Sequence, residues 1–166
     1  RTLVSLHNDV GLAYKNLKDY EKSFYHLTKA IDIAKEIKDS IWIGIPQGNI
    51  ADILIEQEKY EQAQIYLDNY LDYGLQFQEH GIVVSAYVKQ ATINYKQKNA
   101  NKALQWLRLG ENYLAKYDYQ VYSTNKIAYL EYKKRLYDAY IQILASIQDY
   151  TNAFKYQKKY QETVDS

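Results

Sequence analysis

The sequence predicts an all-α fold, and three observations support this class. Only six Gly and one Pro occur in 166 residues, so few residues interrupt a helix. Apolar residues recur at helical spacing, as at Phe24, Leu27 and Ile31. Similar segments also recur along the chain, which is typical of helical-repeat proteins.

Short stretches of polar residues separate the predicted helices, so neighbouring helices are expected to pack antiparallel. The eight helices are predicted at about 2–17, 20–38, 42–57, 60–78, 82–98, 100–117, 124–147 and 150–164. They form four helix pairs within one domain that covers 1–166, and the pairs are predicted at about 2–38, 42–78, 82–117 and 124–164. Because the chain starts at Arg1 and contains no Met, we expect it to be a segment of a longer protein.

The pairs are related by internal repetition. "GLAYKNLKDYEKSFYHL" aligns with "ADILIEQEKYEQAQIYL", and Tyr20 aligns with Tyr60, an offset of 60 minus 20, or 40 residues. "ATINYKQKNANKALQWL" keeps this offset. The fourth copy, "ILASIQDYTNAFKY", follows at 153 minus 103, or 50 residues, from Ala103 to Ala153. About ten additional residues therefore lengthen the helices or the connection near 117–124.

Small residues recur at the positions where paired helices are expected to touch. One set lies in the first helix of a pair and allows the second helix to approach closely, and another lies in the second helix. The first set is Gly11, Ala51 and Ala91, and the second is Ser23, Ala63, Ala103 and Ala153.

The segment "GLAYKNLKDYEKS", with Gly11, Tyr14, Tyr20 and Ser23, resembles the tetratricopeptide repeat, and the resemblance extends over essentially the whole chain. It implies a right-handed superhelix, an α-solenoid of about four antiparallel helix-turn-helix units. The period of 40 exceeds the usual length of about 34 residues. Such long-period arrays resemble the repeat domains of bacterial signalling and regulatory proteins. The chain departs from the family pattern at Ser23, where Ala is usual.

In this family the first helix of each unit lines a concave groove. The resemblance therefore implies a peptide- or partner-binding groove that includes Asn8, Lys15, Asn49, Asp52, Lys89, Thr92, Tyr95, Asp138 and Gln142. Amide side chains hydrogen-bond to peptide backbones, which favours peptide binding. The alternative is that these residues only solvate an exposed face. A chaperone-type carboxylate clamp is incomplete, because Leu12 and Ser85 occupy two of its positions.

Tyrosine is frequent, and eight of the 20 fall between Tyr113 and Tyr140. Repeat packing explains them better than a recognition surface. The longer junction that holds Tyr119 and Tyr122 is nevertheless a candidate for self-association.

Composition and motifs argue against several functions. The 21 Lys and Arg are balanced by 20 Asp and Glu, so this segment is not expected to bind nucleic acid or membranes. No cysteine is present, and His7, His26 and His80 lack metal-ligand spacing and are interpreted as solvated residues. We therefore expect no metal, no cofactor and no enzyme activity.

The segment "IGIPQGN" lacks the lysine and the spacing of a phosphate-binding loop. We expect Pro46 to begin the third helix or to kink it.

These observations predict a non-catalytic protein- or peptide-binding module, the sensory or regulatory part of a bacterial signalling protein or transcriptional regulator. The alternative is an architectural scaffold or a self-association module that forms a homodimer. The favoured location of the protein is the cytoplasm, and the alternative is the periplasm if a signal peptide precedes the segment.

Overall fold

The computed structural model describes residues 2–117 and 125–166, which contain eight α-helices and no β-strand. The predicted all-α fold is therefore confirmed. The sequence positions 118–124, with Tyr119 and Tyr122, lie outside the described residues. The helices are α1 (Leu3–Asn16), α2 (Tyr20–Glu36), α3 (Ser40–Glu56), α4 (Tyr60–Gln76), α5 (His80–Lys96), α6 (Ala100–Lys116), α7 (Lys126–Ser146) and α8 (Tyr150–Val164).

A three-residue connection ends α1 and begins α2. Lys18 lies in the left-handed region at φ 59°, and its N–H donates to the Lys15 carbonyl at 2.9 Å. The N–H of Asp19 donates to the Tyr14 carbonyl at 3.0 Å, which completes a Schellman motif. The Asp19 carboxylate then accepts from the backbone N–H of Lys22 at 3.2 Å and caps α2. Because one residue terminates the first helix and caps the second, the chain reverses within three residues.

This turn recurs every 20 residues in most of the chain. Helices α2 to α6 have 17 residues each, and three residues separate consecutive helices, so one pair repeats every 40 residues. The left-handed residues are Lys18, Lys38, Glu58, Gln78 and Lys98, with Gln148 in the last pair. The 40-residue offset found in the sequence thus corresponds to two helices and two turns.

The chain divides into two compact units, Arg1–Phe77 and Gln78–Ser166. In the first unit the consecutive helices α1 to α4 pack on each other, and α1 also contacts α3. In the second unit α5 packs on α6 and α7 packs on α8, and α7 also contacts α5 and α6. Each unit therefore contains two consecutive helix pairs, as in helical-repeat solenoids.

The small residues lie at helix contacts, as predicted. A Cβ on Gly11 would lie 2.7 Å from Cγ of the buried Leu27, and the Ser23 hydroxyl donates to the Gly11 carbonyl at 2.6 Å. The equivalent residues of the later repeats are fully buried, namely Ala51, Ala63, Ala91 and Ala103. Any larger side chain at these positions would separate the two helices.

The "IGIPQGN" segment forms a packing surface within α3. A Cβ on Gly44 would lie 2.3 Å from the Tyr73 ring, and one on Gly48 would lie 2.7 Å from the Tyr70 ring. Pro46 lies inside the helix, so the expectation that it begins the helix is wrong. Its ring is fully buried, and the neighbouring Gln47 side chain donates to the Ile43 carbonyl at 2.9 Å. The two glycines thus accommodate the tyrosines of α4.

The core of the second unit includes much of its tyrosine content. Tyr129, Tyr137 and Tyr140 are at most 8% exposed and pack with fully buried Leu107 and Leu136. Packing is therefore the role of these three tyrosines. Helix α7 has 21 residues, against 17 in α5, and this length contains part of the predicted insertion.

Within 2–117 and 125–166, no helix combines the length and the apolar character needed to cross a membrane. Among these same residues, no group of three His, Cys, Asp or Glu side chains is arranged to hold a metal ion.

Candidate binding surface

Two of the predicted groove residues form an amide pair between α1 and α3. The Asn49 side chain donates to the Asn8 side-chain oxygen at 2.8 Å. Asn8 is 5% exposed, and Asn49 is half-buried. A polar group at this depth requires a partner, and the two asparagines supply one to each other across the repeat boundary.

One to two turns further along the same helices, Lys15 is held by two carboxylates. Its ammonium lies 3.6 Å from Asp52 and 3.3 Å from Glu56, and 18% of its side chain is exposed. Tyr20, at the start of α2, also donates to Glu56 at 3.0 Å. The structure therefore brings Asn8, Lys15, Asn49 and Asp52 onto one polar face of the first unit, although as mutually paired groups.

The predicted residues on α5 belong to the second unit. Lys89 and Thr92 are half-buried, and the Thr92 hydroxyl donates to the Val88 carbonyl of its own helix at 2.9 Å. Tyr95 is 37% exposed and lines an open cavity of about 440 Å³ with Ser146 and Ile147. Tyr95 is thus the most accessible of the three predicted α5 residues.

Asp138 and Gln142 are both exposed on α7 of the second unit. The Gln142 amide donates to the Asp138 carboxylate at 2.8 Å, a bond between residues one helical turn apart. The two predicted residues on this helix therefore form a local surface pair.

The interpretation of the histidines as solvated residues is wrong. The Nδ1 atoms of His7 and His26 lie 3.0 Å apart between α1 and α2, so one ring donates to the other. His26 also stacks on Tyr14. His80 Nδ1 lies 2.8 Å from the Tyr113 hydroxyl. Burial lowers the pKa of His80, and burial with the adjacent His26 and Lys29 lowers the pKa of His7.

The repeat alignment contains the signal that identifies the first histidine pair. Adding 40 and 80 to the numbers of His7 and His26 gives Gln47 with Tyr66 and Tyr87 with Trp106. The rings of Tyr87 and Trp106 lie 6.1 Å apart, so this pair of positions faces across the two helices of a repeat. Comparing residues by repeat position, rather than by motif spacing, therefore predicts that His7 and His26 are in contact.

Antiparallel helix pairs joined by recurring three-residue turns define an α-helical repeat protein. Residues 1–73 match the family model described as tetratricopeptide repeat, so this part of the chain is similar to the repeats of that family. A search of curated proteins finds no match to the chain. Repeats of this family generally mediate contacts between proteins and are not typically catalytic, so the match supports a protein-interaction repeat module over these residues.

Proposed function

We propose that the chain binds a protein or peptide through the polar residues of the first helices of its repeats, without catalysis. The observation that supports this most strongly is the polar face of α1 and α3, with the Asn8–Asn49 bond and the paired Lys15. An asparagine amide has two N–H donors and an acceptor oxygen, and the bond to Asn8 uses one donor of Asn49. The other polar atoms of Asn49 suit a peptide backbone.

The variant Asn49→Ala with Lys89→Ala tests this proposal, scored by capture of peptides that the wild-type chain selects from a displayed library. We expect capture to fall about tenfold or more, because truncating two polar contacts at an interface costs about 1–2 kcal/mol. Asn112→Ala with Lys102→Ala, at exposed positions of α6, is the matched control. Undiminished capture by the first variant at unchanged helicity, or no selected peptide at all, contradicts the proposal.

We further propose that the module is the sensory or regulatory part of a bacterial signalling protein or transcriptional regulator. The support is its 40-residue period, since long-period arrays resemble the repeat domains of such proteins. Sequencing the coding region that surrounds the chain tests this assignment. A kinase, phosphatase or DNA-binding domain in the same polypeptide supports it, and a polypeptide with no signalling or DNA-binding domain contradicts it.

A second candidate function is self-association, and an apolar stripe on α1 favours it. Leu6 is 47% exposed, whereas Pro46, its equivalent 40 residues later, is fully buried in α3. Similarly, Val10 is half-buried and Ile50 is fully buried. The residues equivalent to this α1 stripe are buried in α3 of the same unit, whereas the α1 stripe itself is partly exposed.

Light scattering over a range of concentrations tests this candidate. Association through the stripe predicts a dimer that becomes monomeric in Leu6→Glu, and remains a dimer in Ile65→Glu, at an exposed position of α4. A wild-type chain that is monomeric at all concentrations contradicts it.

A further inference from the structure

A cavity of about 570 Å³ lies between α2, α3 and α4 of the first unit. Its α3 wall includes Ile43 and Gln47. At 100° per residue along a helix, Gln47 and Asn49 point about 200° apart, so this wall lies opposite the polar face that carries Asn49. The cavity is therefore a separate surface from the one proposed above.

Two carboxylates face this cavity from equivalent positions. Asp32 of α2 and Asp72 of α4 both line it, and their numbers differ by 72 minus 32, or 40, the length of one repeat. Because three-residue turns at both ends of α3 reverse the chain, α2 and α4 are expected to run in the same direction, and the two exposed carboxylates occupy equivalent repeat positions on the two walls. Lys35 is the third charged residue among the lining side chains, which leaves a net charge of −1 there.

The second unit shows what occupies the equivalent gap. By offsets of 80 and 90 residues, Glu111 corresponds to Ile31, Tyr156 to Tyr66, and Lys159 to Asn69. The ammonium of Lys159 lies 2.9 Å from the Glu111 carboxylate and 4.6 Å from the centre of the Tyr156 ring. A cation of the chain itself, held by a carboxylate and an aromatic ring, thus lies in this gap.

In the first unit this internal cation is absent from the equivalent position, because Asn69 stands there. The aromatic ring is retained as Tyr66, and the negative charge is supplied by Asp32 and Asp72 instead. A ring and two carboxylates around an open cavity are the groups that stabilise an ammonium or guanidinium with an apolar stem.

We infer that this cavity binds a basic side chain of a partner protein or peptide, with its cation near Asp32 and Asp72 and its stem against Tyr66. This site goes beyond the proposed polar face, and the two are separable because their residues lie on opposite sides of α3. The amide of Gln47 and the hydroxyl of Thr28, which also line the cavity, are groups that hydrogen-bond to the backbone of the same peptide.

The probe for the test is the peptide acetyl-Ala-Leu-Lys-Leu-Ala-amide, titrated into the ¹⁵N-labelled chain. Its control has norleucine in place of lysine, which keeps the stem and removes the charge. We expect saturable shifts of the backbone amides of α2 and α4 near Asp32 and Asp72, and binding about fivefold weaker for the control peptide. No saturable shift at these helices, or equal affinity of the two peptides, overturns the inference.

A second arm uses variants at exposed positions, which are expected to fold normally. Asp32→Asn with Asp72→Asn should weaken binding of the lysine peptide about fivefold. Glu36→Gln with Glu58→Gln removes two charges from the same unit at residues outside the cavity lining, and should leave binding unchanged. Equal weakening in both variants, or in neither, overturns the inference. Failure of the Asn49 and Lys89 test leaves this result unaffected.

Discussion

Two equivalent gaps between helices, one in each unit, are closed to different extents. Between α6 and α8 of the second unit, Tyr156 donates to Glu111 at 3.0 Å, and Lys159 pairs with the same carboxylate at 2.9 Å. The Tyr156 ring stacks on Tyr140 with 3.9 Å between the ring centres. Burial raises the pKa of Tyr156 to about 12, so its hydroxyl remains a donor at neutral pH.

The first unit has no such bridge at the equivalent positions, which hold Ile31, Tyr66 and Asn69. These residues line the cavity of about 570 Å³, whereas the cavities beside Glu111 in the second unit have volumes of about 160 and 300 Å³. In the same repeat architecture, a few side chains on the second helices therefore determine how open the gap between helices is.

The largest expected change in the free energy of unfolding comes from disturbing the packing of a residue that lines the open cavity. Gly44→Ala should lower the free energy of unfolding by about 2 kcal/mol, because its Cβ would lie 2.3 Å from the rigid Tyr73 ring, which lines the cavity. Urea denaturation followed by circular dichroism measures this change. Lys134→Ala, at the equivalent position of the second unit, should have an effect within about 0.5 kcal/mol. A stabilised Gly44→Ala variant contradicts this account of the packing.

The next effect concerns the bridge itself. Tyr156→Phe should lower the free energy of unfolding by about 1 kcal/mol, because it leaves Glu111 without this donor. Tyr66→Phe, the matched change in the first unit, should have an effect within about 0.5 kcal/mol. A double-mutant cycle of Tyr156→Phe and Glu111→Gln should give a coupling energy of about 0.5–1.5 kcal/mol. Equal costs for the two Tyr→Phe changes, or no coupling, argue against the bridge.

Substituting glycine in the turns between helices should change the free energy of unfolding similarly in both units, whereas substitutions at the two gaps should not. Lys18 and Gln148 adopt left-handed conformations with φ of 59° and 63°, which glycine adopts without steric cost. We expect Lys18→Gly and Gln148→Gly each to raise the free energy of unfolding by about 0.5–1 kcal/mol, measured by urea denaturation. A loss of stability in either variant would show that this turn depends on its side chain.

The smallest effect is a pH dependence in the first repeat. The pKa of His7 is lowered by burial and then by His26 and Lys29. His7 therefore binds a proton more readily in the unfolded chain than in the folded chain. The contribution of neutral His7 to the free energy of unfolding is complete above about pH 6.5 and is lost as the pH falls towards the lowered pKa. His7→Gln with His26→Tyr installs the residues of the next repeat, Gln47 and Tyr66.

This double variant should show a smaller decrease in melting temperature between pH 7.5 and pH 5 than the wild type. The carboxylates titrate in both proteins, so their effect on the melting temperature cancels when the two decreases are compared. An identical decrease in the two proteins contradicts the assignment to the histidine pair.

The sequence predicts those contacts that every repeat makes. Gly11 and its equivalents are recognisable because a small residue recurs at one position, and the structure places them against the paired helix. Contacts made by a single repeat are not recognisable in this way. The predicted groove included Asn8 and Asn49, but their mutual bond depends on the separation of α1 from α3. The Glu111–Lys159 bridge joins residues 48 apart and has no counterpart in the first unit that a repeat alignment could detect.

The comparison between the two gaps is tested most directly by introducing the missing cation. Asn69→Lys places an ammonium at the position equivalent to Lys159, and Asn112→Lys makes the same charge change at an exposed position of α6. Titration of each ¹⁵N-labelled variant with acetyl-Ala-Leu-Lys-Leu-Ala-amide measures occupancy of the cavity. We predict that the shifts on α2 and α4 disappear in Asn69→Lys and persist in Asn112→Lys. Persistence of these shifts in Asn69→Lys would contradict the account.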